Sequence, residues 1–85
     1  MIKGMSWTVY ILKCADDSLY TGITNDLERR VSEHEQGTGA KYTKGRGPFK
    51  IVYTETCPDR GEASKREYAL KQLSRDDKMT LIKTA

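Results

Sequence analysis

The sequence predicts an α+β fold, a three-stranded antiparallel sheet flanked by helices in the order β-β-α-β-α-α. Three observations predict it. Two runs of β-branched, aromatic and aliphatic residues are joined by a short acidic turn; a capped helical stretch follows them directly; and a third strand-like run precedes two further helical patterns.

The first run, from Trp7 to Leu12, contains the near-continuous apolar stretch "VYIL", which predicts a strand covered on both faces. "ADDS" breaks it, and "LYTGIT" resumes strand character, so the two runs form an antiparallel hairpin. "NDLERRVSEHEQG" predicts a helix with Asn25 as N-cap, Glu28 three residues on as in a capping box, and Gly37 as its stop. "TGAKYTKGRGP" is rich in Gly and Lys and predicts a loop. In "FKIVYTE", Phe49, Ile51 and Tyr53 alternate as the third strand requires. "CPDRGEASKREYALKQLS" opens with turn residues and becomes helical near Glu62, with Ala63, Leu70 and Leu73 sharing one face; "DDKMTLIK" is a short third amphipathic helix.

The chain has 85 residues, 36% of them hydrophobic, an amount suited to one compact domain over residues 1–85. The 15 Lys and Arg outnumber the 12 Asp and Glu, and the net charge of +3 permits an anionic partner without requiring one. No apolar stretch approaches the roughly 18 residues that cross a bilayer, and "MIKGMSWTVY" lacks the apolar core and cleavage site of a signal peptide. A cytoplasmic protein without a membrane partner is expected, with Cys14 and Cys57 as free, partly buried thiols.

Polar residues stand where apolar ones belong. On the first helix, the stripe set by Leu27 and Val31 continues through Arg30 and His34, which therefore face inward, whereas Arg29 and Glu33 are expected to face solvent. Glu67 falls between Ala63 and Leu70 on the buried side of the second helix. An inward charge needs a partner, so two readings stand: an internal Arg30 to Glu67 ion pair, or a site in which Arg30 holds phosphate and Glu67 a metal ion. The loop brings Lys41, Lys44 and Arg46 with no acidic residue among them, and Tyr42 for stacking on a base. Its plain alternative is a solvated connector. Neither "GxxxxGK[ST]" nor "GxGxxG" occurs, which excludes those nucleotide-binding loops.

"VYI" followed by "YTG" resembles the paired motif of the GIY-YIG nuclease superfamily, although the first motif has no glycine. The resemblance covers about residues 7–74: Arg30 lies on the first helix ten residues after Tyr20, His34 one turn later, and Glu67 on a later helix, while "GAKYT" and "GRGP" look most like the small stand-alone bacterial branch and the catalytic domain of structure-specific repair nucleases. The resemblance implies a metal-dependent DNA endonuclease linked to repair or processing. In it Glu67 would bind Mg²⁺ or Mn²⁺, Arg30 a phosphate oxygen, and Tyr10 and Tyr20 the attacking water, with His34 relaying a proton. Gly22 would let the strand approach the phosphate, and Lys41, Tyr42, Lys44 and Arg46 would guide the nucleic acid. The expected partners are branched, flapped or single-stranded DNA, with RNA left open, and a protein that supplies specificity. The competing readings are a non-catalytic nucleic-acid-binding module of the same fold and a protein-interaction domain.

Overall fold

The computed structural model describes residues 6–84, so the reading of the extreme N-terminal segment as free of an export signal falls partly outside the described residues. Element order is β1 (Trp7–Lys13), β2 (Leu19–Thr24), α1 (Leu27–Gln36), β3 (Lys50–Cys57), α2 (Arg60–Lys71) and α3 (Arg75–Thr84), the α+β order expected. The antiparallel sheet runs β2-β1-β3, and central β1 is covered on both faces: Val9, Tyr10, Ile11 and Leu12 are all buried.

Register decides what each face carries. Residues opposite one another in an antiparallel pair share a face, and successive residues alternate. Val9 pairs with Ile23, and Trp7 with Cys57. This face packs against Ala63 and Leu70 of α2, with Leu73 and Leu81 closing the cluster. Each large aliphatic side chain buried there contributes about 1.5–3 kcal/mol. The opposite face carries Tyr10 across from Gly22, and Leu12 across from Tyr20. Both motif tyrosines therefore point the same way, toward α1 and the loop that follows it.

Several sequence expectations shift locally. The N-cap of α1 is Asp26, not Asn25: Thr24 Oγ1 accepts the Asp26 N–H at 3.0 Å, and this turn brings the Asp26 carboxylate to the Arg29 N–H at 3.2 Å. Gly37 closes the helix in the left-handed conformation, as expected. Helix α2 begins at Arg60, earlier than Glu62, because Asp59 accepts the Glu62 N–H at 2.8 Å. The alternation of Phe49, Ile51 and Tyr53 does not survive. A bulge sets Ile11 opposite Tyr53 but Leu12 opposite Ile51, so Tyr53 and Ile51 lie on different faces and Ile51 is exposed. Both cysteines are free and buried. Among the described residues, no helix is long and apolar enough to cross a membrane.

Candidate active site

The centre of the site is a buried chain of hydrogen bonds between the sheet, α1 and the loop. The Tyr10 hydroxyl lies 2.8 Å from His34 Nε2, and His34 Nδ1 lies 2.7 Å from Thr43 Oγ1. Thr43 Oγ1 in turn donates to the Ala40 carbonyl at 2.9 Å. Counting protons assigns the tautomer. A hydroxyl has one hydrogen, and Thr43 directs it to Ala40; Nδ1 must then be the donor to Oγ1, which leaves the Nε2 lone pair to accept from Tyr10. Tyr10 and His34 have relative exposures of 0% and 1%, so this chain is closed to bulk water.

Two glycines make the chain possible. A Cβ on Gly22, directly across from Tyr10, would stand 2.6 Å from the Tyr10 hydroxyl oxygen and 2.7 Å from Cζ. The room left by the missing side chain is thus filled by the Tyr10 phenol, and Gly22 is buried, which corrects the expectation that it opens the strand to a phosphate. Gly39 plays the same part for His34, whose Nδ1 would lie 2.5 Å from a Cβ there.

Electrostatics keep both rings neutral. Burial pushes the Tyr10 phenol up to about 12; the Arg30 guanidinium pulls it down, and Tyr20 and Glu67 add smaller upward pushes. Burial also lowers the pKa of His34, reinforced by Arg30 and opposed by Glu33. Arg30 faces the same phenol, yet the directional hydrogen bond of the Tyr10 hydroxyl belongs to His34. Burial works against the Arg30 charge, but Tyr10 and Glu33 outweigh it, so the guanidinium is held firmly cationic.

The Arg30 to Glu67 ion pair does not form. Arg30 Nη1 pairs with Glu33 at 3.1 Å, because three residues along a helix bring the two side chains together. Glu33 was expected in solvent and is instead half-buried against this arginine. Glu67 pairs with Lys71 at 3.2 Å, and its charge is felt at Tyr10; the C-terminal end of α2 and the N-terminal end of α3 meet the free edge of β2, where Lys71 and Lys78 share a cleft with Tyr20 and Tyr42.

Tyr10, Tyr20 and His34 form one aromatic cluster. Tyr20 lies 5.2 Å from the His34 ring and 6.3 Å from Tyr10, centroid to centroid. Tyr20 is only half-buried, so of the two motif tyrosines it is the one within reach of solvent. The loop covers this cluster rather than floating free. Tyr42 stacks on Tyr20 at 6.0 Å, and the Arg46 guanidinium lies 4.5 Å over the Tyr42 ring. Arg46 also pairs with Asp16 and donates to the Tyr42 carbonyl at 2.7 Å, and its own carbonyl accepts from the Ala15 N–H. Arg46 is therefore a staple between the loop and the β1–β2 turn, and Tyr42 is already stacked. Lys41 and Lys44 are exposed and enter no ion pair among the described residues.

The structure thus gathers Tyr10, Tyr20, Arg30 and His34, with the charge of Glu67 felt at Tyr10. Thr43, Gly39 and Glu33 belong to the same constellation; the first two were not singled out from the sequence, and Glu33 was assigned to solvent. Glu33 had a signal, its i,i+3 spacing from Arg30; Thr43 and Gly39 lie in an aperiodic loop and had none. No group of three or more His, Cys, Asp or Glu assembles as a metal cage among the described residues. The lone Glu67 carboxylate, held only by a displaceable lysine, does fit an ion such as Mg²⁺, which keeps most of its waters and takes one or two carboxylates together with substrate phosphates.

Comparison with known proteins identifies the family. The model of the GIY-YIG catalytic domain matches residues 6–80. The chain is 57% identical over 81 residues to a UPF0213 protein of Desulfotalea psychrophila, covering 94% of this chain and 74% of that one. It is 58% identical over 74 residues to a UPF0213 protein of Clostridium perfringens, covering 87% and 80%. Among solved structures it resembles the solution NMR structure of a UPF0213 protein from Bacillus halodurans, with TM-score 0.62, 50% identity and coverage of 94% and 85%. A protein of E. faecalis aligns with TM-score 0.67, 43% identity and coverage of 99% and 90%. With its paired strand tyrosines, helix arginine and buried histidine in one cluster, and with the family model matching nearly its whole length, this chain belongs to the GIY-YIG catalytic domain family.

Proposed function

We propose that this protein is a metal-assisted endonuclease that hydrolyses phosphodiester bonds in DNA, selects substrates by structure rather than base sequence, and serves DNA repair or processing. The observation that carries the reading is the convergence of Tyr10, Tyr20 and His34 with the Arg30 guanidinium beside the same phenol. Hydrolysis needs a positioned water, stabilisation of charge on the phosphorus oxygens and relief of charge on the departing oxygen.

In this reading Arg30 exchanges Glu33 for a non-bridging phosphate oxygen, an exchange suited to a permanently charged planar guanidinium. Tyr20 orients the attacking water through its hydroxyl. Tyr10 is closed to solvent and acts as a positioning residue: its proton is committed to His34, which fixes the floor on which Tyr20 rests. A divalent cation, Mg²⁺ or Mn²⁺, held by Glu67, would neutralise charge on the phosphate and leaving oxygen. Lys41 and Lys44 attract the phosphate backbone without reading bases, and a partner protein supplies further specificity.

The test is digestion of labelled branched and single-stranded DNA, with RNA of the same sequence alongside, in Mg²⁺ or Mn²⁺. Cleavage that is lost in Arg30→Ala and Glu67→Gln, with the melting temperature of each variant preserved, supports the reading. Tyr20→Phe is expected to lower the rate more than Tyr10→Phe. Binding of DNA by the wild type without cleavage at any metal concentration would instead support a non-catalytic nucleic-acid-binding module, the reading that the sealed position of Tyr10 favours.

A further inference from the structure

Beside Tyr20, on the free edge of β2, lies a cleft of about 300 Å³ lined by Leu19, Tyr20, Thr21, Tyr42, Lys71 and Lys78. It adjoins a second of about 190 Å³ that shares Leu19, Tyr42 and Lys78 with it and adds Ser18 and Arg75. Together they form a shallow trough leading away from the tyrosines across the α2–α3 corner.

Two features of this trough point to one kind of occupant. Its charged lining is entirely cationic, and Arg75 and Lys78, about one helical turn or roughly 5 Å apart on α3, enter no ion pair among the described residues. Its other wall is apolar and aromatic, formed by Leu19, Tyr20 and Tyr42. Thr21 also lines the first cleft but offers its occupant no contact, because it stands opposite Ile11 on the α2 face and its hydroxyl is buried there. Cations along one side and an apolar aromatic wall along the other match a strand whose bases are unpaired; a duplex hides its base faces and would present only phosphates.

We propose that this trough binds the single-stranded flank of the nucleic-acid substrate next to the phosphodiester to be cut, with Arg75 and Lys78 on its phosphates and Leu19, Tyr20 and Tyr42 against its bases. The proposal rests on the nuclease reading for the identity of the neighbouring site, but the trough can be tested without catalysis. None of the residues assigned to the reaction is altered by removing the two α3 cations.

The experiment measures binding of labelled oligothymidine, and of a blunt duplex, to wild type and to the double variant Arg75→Ala/Lys78→Ala over a range of salt. The variant is expected to bind oligothymidine more weakly, with the slope of log K against log salt reduced by about 1.4, the value for two single-strand phosphate contacts. Blunt-duplex binding is expected to change less. The charge-preserving variant Arg75→Lys/Lys78→Arg should keep the wild-type slope, and matching melting curves for all three exclude loss of fold. An unchanged affinity and slope for oligothymidine in the alanine variant would overturn the proposal, as would equal binding of polyglutamate and oligothymidine by the wild type. The two readings fail separately. A slope lost in the variant while the wild type never cuts DNA supports the trough and ends the nuclease; cutting by a wild type whose strand binding ignores Arg75 and Lys78 supports the nuclease and ends the trough.

Discussion

Replacing Thr43 with valine tests the buried hydrogen-bond chain with little change of side-chain shape. The hydroxyl makes two bonds, accepting from His34 Nδ1 at 2.7 Å and donating to the Ala40 carbonyl at 2.9 Å. Without it, either neutral tautomer of His34 leaves one ring nitrogen facing a methyl group, in a ring only 1% exposed that water cannot reach. An unsatisfied buried polar group of this kind costs about 1–3 kcal/mol. For a domain of this size that lowers the melting temperature by roughly 5–20 °C. Calorimetry or circular dichroism reads the loss. Because the chain has a single histidine, long-range ¹⁵N correlation spectra read the tautomer directly, and Nδ1 should carry the proton in the wild type at neutral pH. A wild-type spectrum with the proton on Nε2, or a variant destabilised by less than about 0.5 kcal/mol, would refute the proton count from which the chain was derived.

Two further outcomes follow from the same cluster. His34 titrates below its ordinary value because burial and Arg30 disfavour the imidazolium; its folded pKa lies below the unfolded one, so stability is full above about pH 6.5 and falls as pH drops from there toward the folded value. The slope is at most about 1.4 kcal/mol per pH unit. Asp16 and Glu55 are lowered as well, by hydrogen bonds from Ser18 and Tyr53 respectively, and their losses come at lower pH. Denaturant titrations between pH 5 and 7 should therefore show the slope in the wild type and a nearly flat line in His34→Gln; equal slopes would remove His34 as the cause. Gly22→Ala places a methyl 2.6 Å from the Tyr10 hydroxyl oxygen and 2.7 Å from Cζ, against a fully buried ring, and should cost about 1–3 kcal/mol in chemical denaturation, whereas an unshifted midpoint would mean that Tyr10 does not sit over Gly22.

Local chemistry made the element order readable. The two apolar runs, the acidic turn between them and Gly37 after the first helical stretch act over a few residues, and each was found where its pattern lay. Burial of the whole "VYIL" run was legible for the same reason: a strand with no polar alternation can only be central. Side-chain period on α1 likewise turned Arg30 and His34 inward. The cap moved by one residue because the Thr24 hydroxyl competed for the turn, and the alternation of β3 failed at a bulge; both depend on partners outside the local pattern.

What tertiary structure alone decided was which polar groups meet. Strand register placed Tyr10 opposite Gly22 rather than Tyr20, and a shift by one residue would have sent one tyrosine to the α2 face. The loop between α1 and β3 has no period, so nothing in its residue types said that Thr43 and Gly39 would close over His34 or that Arg46 would fasten the loop to Asp16. Arg30 with Glu33 and Glu67 with Lys71 are pairs set by the local spacing of each helix, whereas the absence of an Arg30 to Glu67 pair is a matter of how the fold places the two. Residue order along the chain determined the elements and the direction of their faces, because those forces are short-ranged; the assembly of the site required distances between segments far apart in the chain, which only the packed fold sets.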